Sequence, residues 1–245
     1  ISDEEKYLQT SLKLKQMGYD YVQYSGAEYN PKMIKRVVEQ TDLPVALTHV
    51  PIKLILVQPE KLAEEHLSFG CKNIGLGALV PTKDDNDDCW KRKIDELQVS
   101  ANKIKNCGCK FFYHHHYFEF YKFSDGQTVF DYIKDNAPDI NFIIDSYWAQ
   151  YSGYDPITFA DDINGRVQCG HLKDYGIQRD TNNDEQFKPI FVPVGSGSLD
   201  FDKIITKWQD AGMEYFFVEQ DNAHIFEHPF EQVKLSIDYL RNLRK

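Results

Sequence analysis

The chain has 245 residues, a formal net charge of −10, and 42% hydrophobic and 14% aromatic residues. Such a length suits one domain with one packed core, and the acidic balance argues against nucleic acid, whose phosphates call for a basic face. No apolar run approaches the roughly 18 residues of a membrane span and no signal peptide opens the chain, so a cytoplasmic protein without a membrane partner is expected. Five cysteines, at 71, 89, 107, 109 and 169, form no CxxC pair. Cys107-Gly-Cys109 is too closely spaced for a zinc knuckle, and free thiols in a reducing compartment are expected.

In chain order, one unit recurs: an amphipathic stretch, a Gly or Pro break, then a short β-rich run. Tyr7 to Met17 predicts a helix stopped by Gly18, followed by the strand Tyr21–Tyr24. Pro31 opens a helix through Val38, and Pro44 precedes the strand Val45–His49. A helix from Pro59 ends at Gly70 before the strand Asn73–Leu76. The acidic run 83–88 reads as a solvated loop. Trp90 to Asn106 predicts a helix leading into Phe111–His114, and Val129 to Lys134 one leading into Phe142–Asp145. Pro156 to Ile163 precedes the strand Val167–His171, and Arg179 to Gln186 reads as a long loop able to act as a lid. Leu199 to Trp208 precedes Tyr215–Glu219, and a last helix runs from Phe230 to Leu243.

Helices alternating with strands predict a parallel sheet covered by helices, as one domain over 1–245. Seven strands are visible and the chain starts on a helix. The expectation is therefore an α/β (β/α)8 TIM barrel whose first strand lies upstream of the given sequence. The strands are apolar until their C-terminal ends, where such folds place their chemistry. Those ends carry His49, His114, Asp145, His171 and Glu219.

Carboxylates converging there repel one another unless a cation compensates, so a divalent metal is attractive. Mixed imidazole and carboxylate donors suit Mn²⁺, Co²⁺, Zn²⁺ or Fe²⁺. Each residue also has a structural alternative. Asp145 can cap a helix, His171 can be a hydrogen-bonded half-buried histidine, and Glu219 can pair with a lysine. In His114-His115-His116, alternation puts 114 and 116 on one face and 115 on the other.

Tyr113-His114-His115-His116-Tyr117-Phe118-Glu119-Phe120 resembles the Tyr-His-Asn-His-x-Phe-Glu-Phe signature of sugar-phosphate isomerases/epimerases with the xylose-isomerase-like barrel. Asp145-Ser146-Tyr147-Trp148, Gly165-Arg166 leading to His171-Leu172-Lys173-Asp174, Val194-Gly195-Ser196-Gly197 and Val218-Glu219-Gln220-Asp221 extend the resemblance over nearly the whole chain. His115 departs from the family's Asn, and Ser152-Gly153 from its Gly-Gly. The resemblance implies one divalent metal held by Asp145, His171 and Glu219. His114 is favoured as fourth ligand over Glu119, which is placed near the substrate. It also implies a small sugar as partner and an ene-diolate route for isomerisation or epimerisation.

Glu219 and Glu119 are then the candidate acid/base groups, with Lys173 and His116 in the same mouth. Lys173 serves either as an oxyanion stabiliser or as an offset to the acids. His49, Trp148 and Gln220 are candidate substrate contacts; for His49 and Trp148 a structural role is the alternative. A lyase or dehydratase acting on a keto-sugar or inosose, and a sugar-binding barrel without turnover, remain alternatives. Gly195-Ser196-Gly197 is read as a tight turn in preference to a phosphate cradle. Tyr151 and Tyr154, expected near strand ends, leave a homo-oligomer open.

Overall fold

The protein is described from a computed structural model covering residues 3–163, 165–180 and 186–243. Among these residues, seven parallel strands form one sheet in the order β1-β2-β3-β4-β5-β6-β9, and a separate antiparallel pair joins β7 to β8. The seven strands are those expected from sequence. The chain groups into two compact units, Ile1–Ile143 and Ile144–Lys245.

The first unit alternates α1 (Asp3–Met17), β1 (Val22–Tyr24), α2 (Pro31–Thr41), β2 (Val45–His49), α3 (Ile52–Val57), α4 (Pro59–Ser68), β3 (Asn73–Leu76), α5 (Asp87–Asn106), β4 (Lys110–His114), α6 (Val129–Asn136) and β5 (Ile140–Asp145), which runs on into the second unit. Helix α2 starts where sequence chemistry dictates: Asn30 caps the Met33 N–H, and Pro31 occupies the first turn, where no N–H partner is needed. Its apolar stripe of Met33, Ile34 and Val37 is buried, and Met33 and Ile34 pack with Tyr24, Val45, Phe69 and Cys71. Successive strands pair in register, Ile74 with Phe111 and His114 with Ile143, so their C-terminal ends lie along one edge.

The acidic run after residue 82 is more than a solvated loop. Asn86 caps α5 through the Cys89 N–H, while Asp87 and Asp88 fill the first turn, where negative charge complements the helix dipole. Asp85 binds Lys93 at 2.7 Å, and Asp87 accepts from the Ser124 N–H and hydroxyl.

The second unit continues β5 into α7 (Ser146–Tyr151), then β6 (Val167–Leu172), β7 (Asp174–Arg179), β8 (Phe187–Val192), α8 (Phe201–Asp210), β9 (Tyr215–Val218) and α9 (Pro229–Leu243). Its core centres on Trp208, Phe201, Ile204 and Cys169, all fully buried. Trp208 donates to the Pro156 carbonyl at 2.8 Å. Gly170 lets α8 approach β6: a Cβ there would sit 2.7 Å from the Trp208 ring.

One sequence expectation is corrected here. The stretch Pro156–Ile163 contains only a short 3-10 turn, Phe159–Ile163, in place of an α-helix. Of the stretch expected as a lid, Arg179 to Gln186, Arg179 ends β7 and pairs with Phe187, which opens β8. Residues 181–185 lie outside the described set. Helices α3 and α7 were not foreseen, being too short to show a period.

Candidate metal centre

The strands end in polar side chains because the backbone leaves the sheet there. Asp145, the last residue of β5, turns its two oxygens to different partners. One oxygen, Oδ1, caps α7 by accepting from the Tyr147 N–H at 2.8 Å and the Trp148 N–H at 2.9 Å. The other, Oδ2, lies 3.8 Å from His171 Nδ1. His171, on β6, also meets Glu219 Oε2 through Nδ1. Glu219 follows β9 and its N–H extends the ladder to the Leu172 carbonyl. The ligand atoms of Asp145, His171 and Glu219 all lie within 4.8 Å of one another. Asp145 and His171 are fully buried, whereas the Glu219 side chain keeps 27% of its surface exposed.

Around this cluster sits one buried cation. Lys173 Nζ donates to Asp221 Oδ2 at 2.7 Å, lies 3.6 Å from Glu219 Oε1, and stands over the rings of Phe191 and Trp148 at 4.8 and 5.2 Å. Burial opposes its charge, but Asp145, Glu219 and Asp221 outweigh burial and raise its pKa, so it remains an ammonium. Ser146 fixes the neighbouring backbone, donating to the Lys173 carbonyl and accepting from the Lys173 N–H, each at 2.9 Å. Sequence reasoning missed Ser146 and the pairing role of Asp221. Their only signal was adjacency to Asp145 and Glu219.

Burial pushes the Asp145 carboxyl up to about 7; Lys173 and His171 pull it down, and Glu219 adds to the rise. Two acids and an imidazole nitrogen so close, one of the acids fully buried, form a donor set whose charge a dication would offset. The residues therefore fit a divalent ion, and a mixed nitrogen and oxygen set suits first-row transition metals.

Other expected site residues belong to the first unit. His114, buried at the end of β4, places Nδ1 3.1 Å from the Gly77 carbonyl. A carbonyl only accepts, so in the neutral ring the proton sits on Nδ1 and Nε2 carries the lone pair, the tautomer an Nε2 metal ligand needs. His116 stacks on Phe118 at 5.2 Å and its ring lies 4.5 Å from that of His114. His115 faces the other way, edge-on to Phe120 and Phe130. Glu119 is fully buried and accepts at both oxygens, from the Tyr113 hydroxyl and the His116 N–H, each at 2.7 Å. Burial lifts its pKa to about 7 despite these donors. His49, half-buried, contacts Ser25 Oγ at 3.1 Å and Gln23 Nε2 at 3.3 Å.

In the second unit, Gln220 donates to Asn222 at 3.1 Å, and Trp148 packs edge-on to Tyr147 and Tyr151. The sequence Gly195-Ser196-Gly197 is a turn, as expected. The carboxylate of Asp174 fills it, accepting from the N–H groups of Gly195, Gly197, Tyr175 and Leu199.

Residues 12–243 match the family described as xylose isomerase-like TIM barrel, and the chain belongs to that family. Among solved structures, a sugar phosphate isomerase/epimerase from Parabacteroides distasonis ATCC 8503 superposes with a TM-score of 0.78 at 19% identity, covering 97% of this chain and 88% of that one. An L-ribulose 3-epimerase gives 0.72 at 13%, covering 99% and 90%. An inosose dehydratase from Geobacillus kaustophilus (strain HTA426) is 24% identical over 169 residues, which is 64% of this chain and 54% of that protein. The aligned part thus spans about half the length of the curated relatives that the chain matches. At such identities the structural likeness establishes the fold. No helix among the described residues is long and apolar enough to cross a membrane.

Proposed function

We propose that the protein is a divalent-metal-dependent enzyme that moves a proton next to the carbonyl of a small sugar or polyol, as an isomerase or epimerase. The single observation that carries this reading is the convergence of Asp145, His171 and Glu219 ligand atoms within 4.8 Å at the C-terminal edge of a parallel sheet. His114 is proposed as fourth ligand: it pairs with Ile143, two residues before Asp145 on the same strand, and its Nδ1 contact with Gly77 leaves Nε2 as donor. A cation held there, of the Mn²⁺, Fe²⁺, Co²⁺ or Zn²⁺ kind, supplies Lewis acidity that lowers the cost of deprotonating the carbon beside a carbonyl.

The remaining chemistry belongs to the chain. Glu219, the partly exposed acid of the cluster, takes the proton from the substrate carbon. The C–H electron pair becomes the carbon–carbon double bond, and the carbonyl oxygen gains the charge. Lys173, kept cationic by three acids, stabilises that charge. Return of the proton by Glu219 to the adjacent carbon gives an isomer, and delivery of a proton to the opposite face by a second acid gives an epimer. Trp148, His49 and Gln220 are proposed as substrate contacts. Glu119, with both oxygens already accepting, is assigned the support of Tyr113 and the His116 turn in place of the proton transfer expected from sequence.

The inosose dehydratase relatives support a second reading, in which the same deprotonation is followed by loss of a β-hydroxyl as water. One experiment tests both. The metal-loaded protein is incubated with free ketoses and a keto-inositol in D₂O, and products are read by NMR. Deuterium at the carbon beside the carbonyl, with an isomeric sugar formed, supports the first reading; an unsaturated or deoxy product supports the second. No deuterium in any substrate refutes both.

A further inference from the structure

We propose that Tyr113 and Glu119 are positioning residues for His114: a buried phenol–carboxylate pair that bolts together the two loops on which the orientation of this imidazole depends. The inference rests on the reading of His114 as fourth metal ligand and adds the groups that hold it ready. All of these residues belong to the first unit.

Side chains alternate along β4, so Tyr113 and His115 leave it on one face and His114 on the other. His115 packs against Phe120 and against Phe130 of α6, which marks its face as the helix side. There the Tyr113 hydroxyl donates to Glu119 Oε1, and Glu119 Oε2 accepts from the His116 N–H, each at 2.7 Å. Leu79 adds a third bond: its backbone contact with the Tyr113 oxygen favours the phenolate, so it comes from the N–H. The bonds therefore run from Leu79, in the loop after β3, through Tyr113 and Glu119 to His116, in the turn after β4. Tyr113 and Glu119 are both fully buried, so solvent does not replace a lost partner.

His114 lies between the two ends of that chain of bonds. Leu76 pairs with Tyr113, which brings Gly77 level with His114, and the Gly77 carbonyl stands 3.1 Å from His114 Nδ1. Gly77 is two residues from Leu79, and His116 is two residues from His114. The acceptor that sets the ring's tautomer and the backbone that carries the ring are thus both tied to one buried pair. An imidazole ligand needs its second nitrogen held in this way, so that the lone pair stays on the donor nitrogen. A buried carboxylate is costly to keep, and apolar side chains would fill the same space without that cost. What apolar packing does not provide is the directional hold on two loops at once.

The test uses the full chain as wild type, Tyr113→Phe, Glu119→Gln, His114→Gln and the Tyr113→Phe/His114→Gln double variant. It is run at pH 8, above the value of about 7 to which burial lifts Glu119. Long-range ¹H–¹⁵N NMR of the metal-free protein reads the imidazole tautomers, with the His114 signals identified by their loss in His114→Gln. Competition with a chelator gives the Co²⁺ dissociation constants. The wild type is expected to show His114 protonated at Nδ1 alone, and Tyr113→Phe and Glu119→Gln a mixture of tautomers. Both variants should bind Co²⁺ about 10–100-fold more weakly. Once His114 is already Gln, Tyr113→Phe should change the affinity by less than about twofold, because its effect runs through that ring. A general loosening of the fold would weaken both backgrounds alike. Unchanged tautomers in a folded Tyr113→Phe protein overturn the proposal, and so does equal weakening in the two backgrounds. If His114→Gln binds Co²⁺ as tightly as the wild type, or the wild type binds none, the fourth-ligand reading fails instead. The tautomers alone then decide whether the pair positions the ring.

Discussion

Asp145→Asn separates the two jobs of one side chain. The Oδ1 that caps α7 is retained as an amide oxygen, whereas the charge at Oδ2, beside His171 and Glu219, is lost. In the metal-free protein, burial raises the carboxyl from its ordinary 3.8 to about 7. A folded-state pKa above the unfolded value means stability that is present below the unfolded pKa and lost as pH rises through the folded one. Ionised Asp145 therefore costs the metal-free fold up to about 4 kcal/mol above pH 7, at about 1.4 kcal/mol per pH unit. The Asn variant escapes that cost. For a chain of this size about 1 kcal/mol shifts Tm by about 2–4 °C, so at pH 8 in EDTA the variant should melt above the wild type, by at most about 8–16 °C. Added Mn²⁺ or Co²⁺ should raise the wild-type Tm and leave the variant's unmoved. Scanning fluorimetry across pH 5–8, with and without metal, reads both effects. A variant that melts below the metal-free wild type, or that still gains stability from metal, refutes the reasoning.

Other perturbations follow from the same geometry. Gly197→Ala would place a methyl group 2.4 Å from both Asp174 Oδ1 and the Tyr175 carbonyl; it should cost about 1–3 kcal/mol. Gly176→Ala, whose Cβ meets only Val192 at 3.7 Å, should stay within about 0.5 kcal/mol, both read by urea unfolding. Glu119→Gln cannot accept from both the Tyr113 hydroxyl and the His116 N–H, so a loss of about 1–3 kcal/mol in Tm-derived stability is expected. Proton exchange should fall far less in that variant than in Glu219→Gln; the reverse order would return the acid/base role to Glu119. His66, fully buried between Thr48, Tyr29 and the Leu62 carbonyl, is pushed by burial from 6.5 to about 4. Its contribution is present above pH 6.5 and about 3 kcal/mol is lost as pH falls to 4; His66→Gln should show a correspondingly shallower decline of the urea midpoint over that range.

Seven strands and their polar ends were legible because a buried parallel strand is continuously apolar and stops being so where chemistry begins. The pair β7 and β8 was not, since Ile177 and Phe187 are exposed, Pro189 interrupts β8, and no buried face imposes alternation. Asp145 illustrates a subtler limit. Sequence offered a helix cap or a ligand, and a carboxylate has two oxygens, so capping by one leaves the other available to the cluster. Glu119 shows a different limit: nothing in the string told that its carboxylate would accept from the Tyr113 hydroxyl and the His116 backbone. Asp174 was invisible as an anion in the Gly195–Gly197 turn because the partners are about twenty residues apart in sequence.

The most direct test of the central claim is a Co²⁺ titration of the metal-free protein followed by its visible d–d absorption, with metal content measured after dialysis. One equivalent bound per chain, with the band lost in His171→Ala and in Asp145→Asn, is the predicted result. A chain that retains no ion, or one whose spectrum is unchanged by those substitutions, contradicts a metal centre built from Asp145, His171 and Glu219.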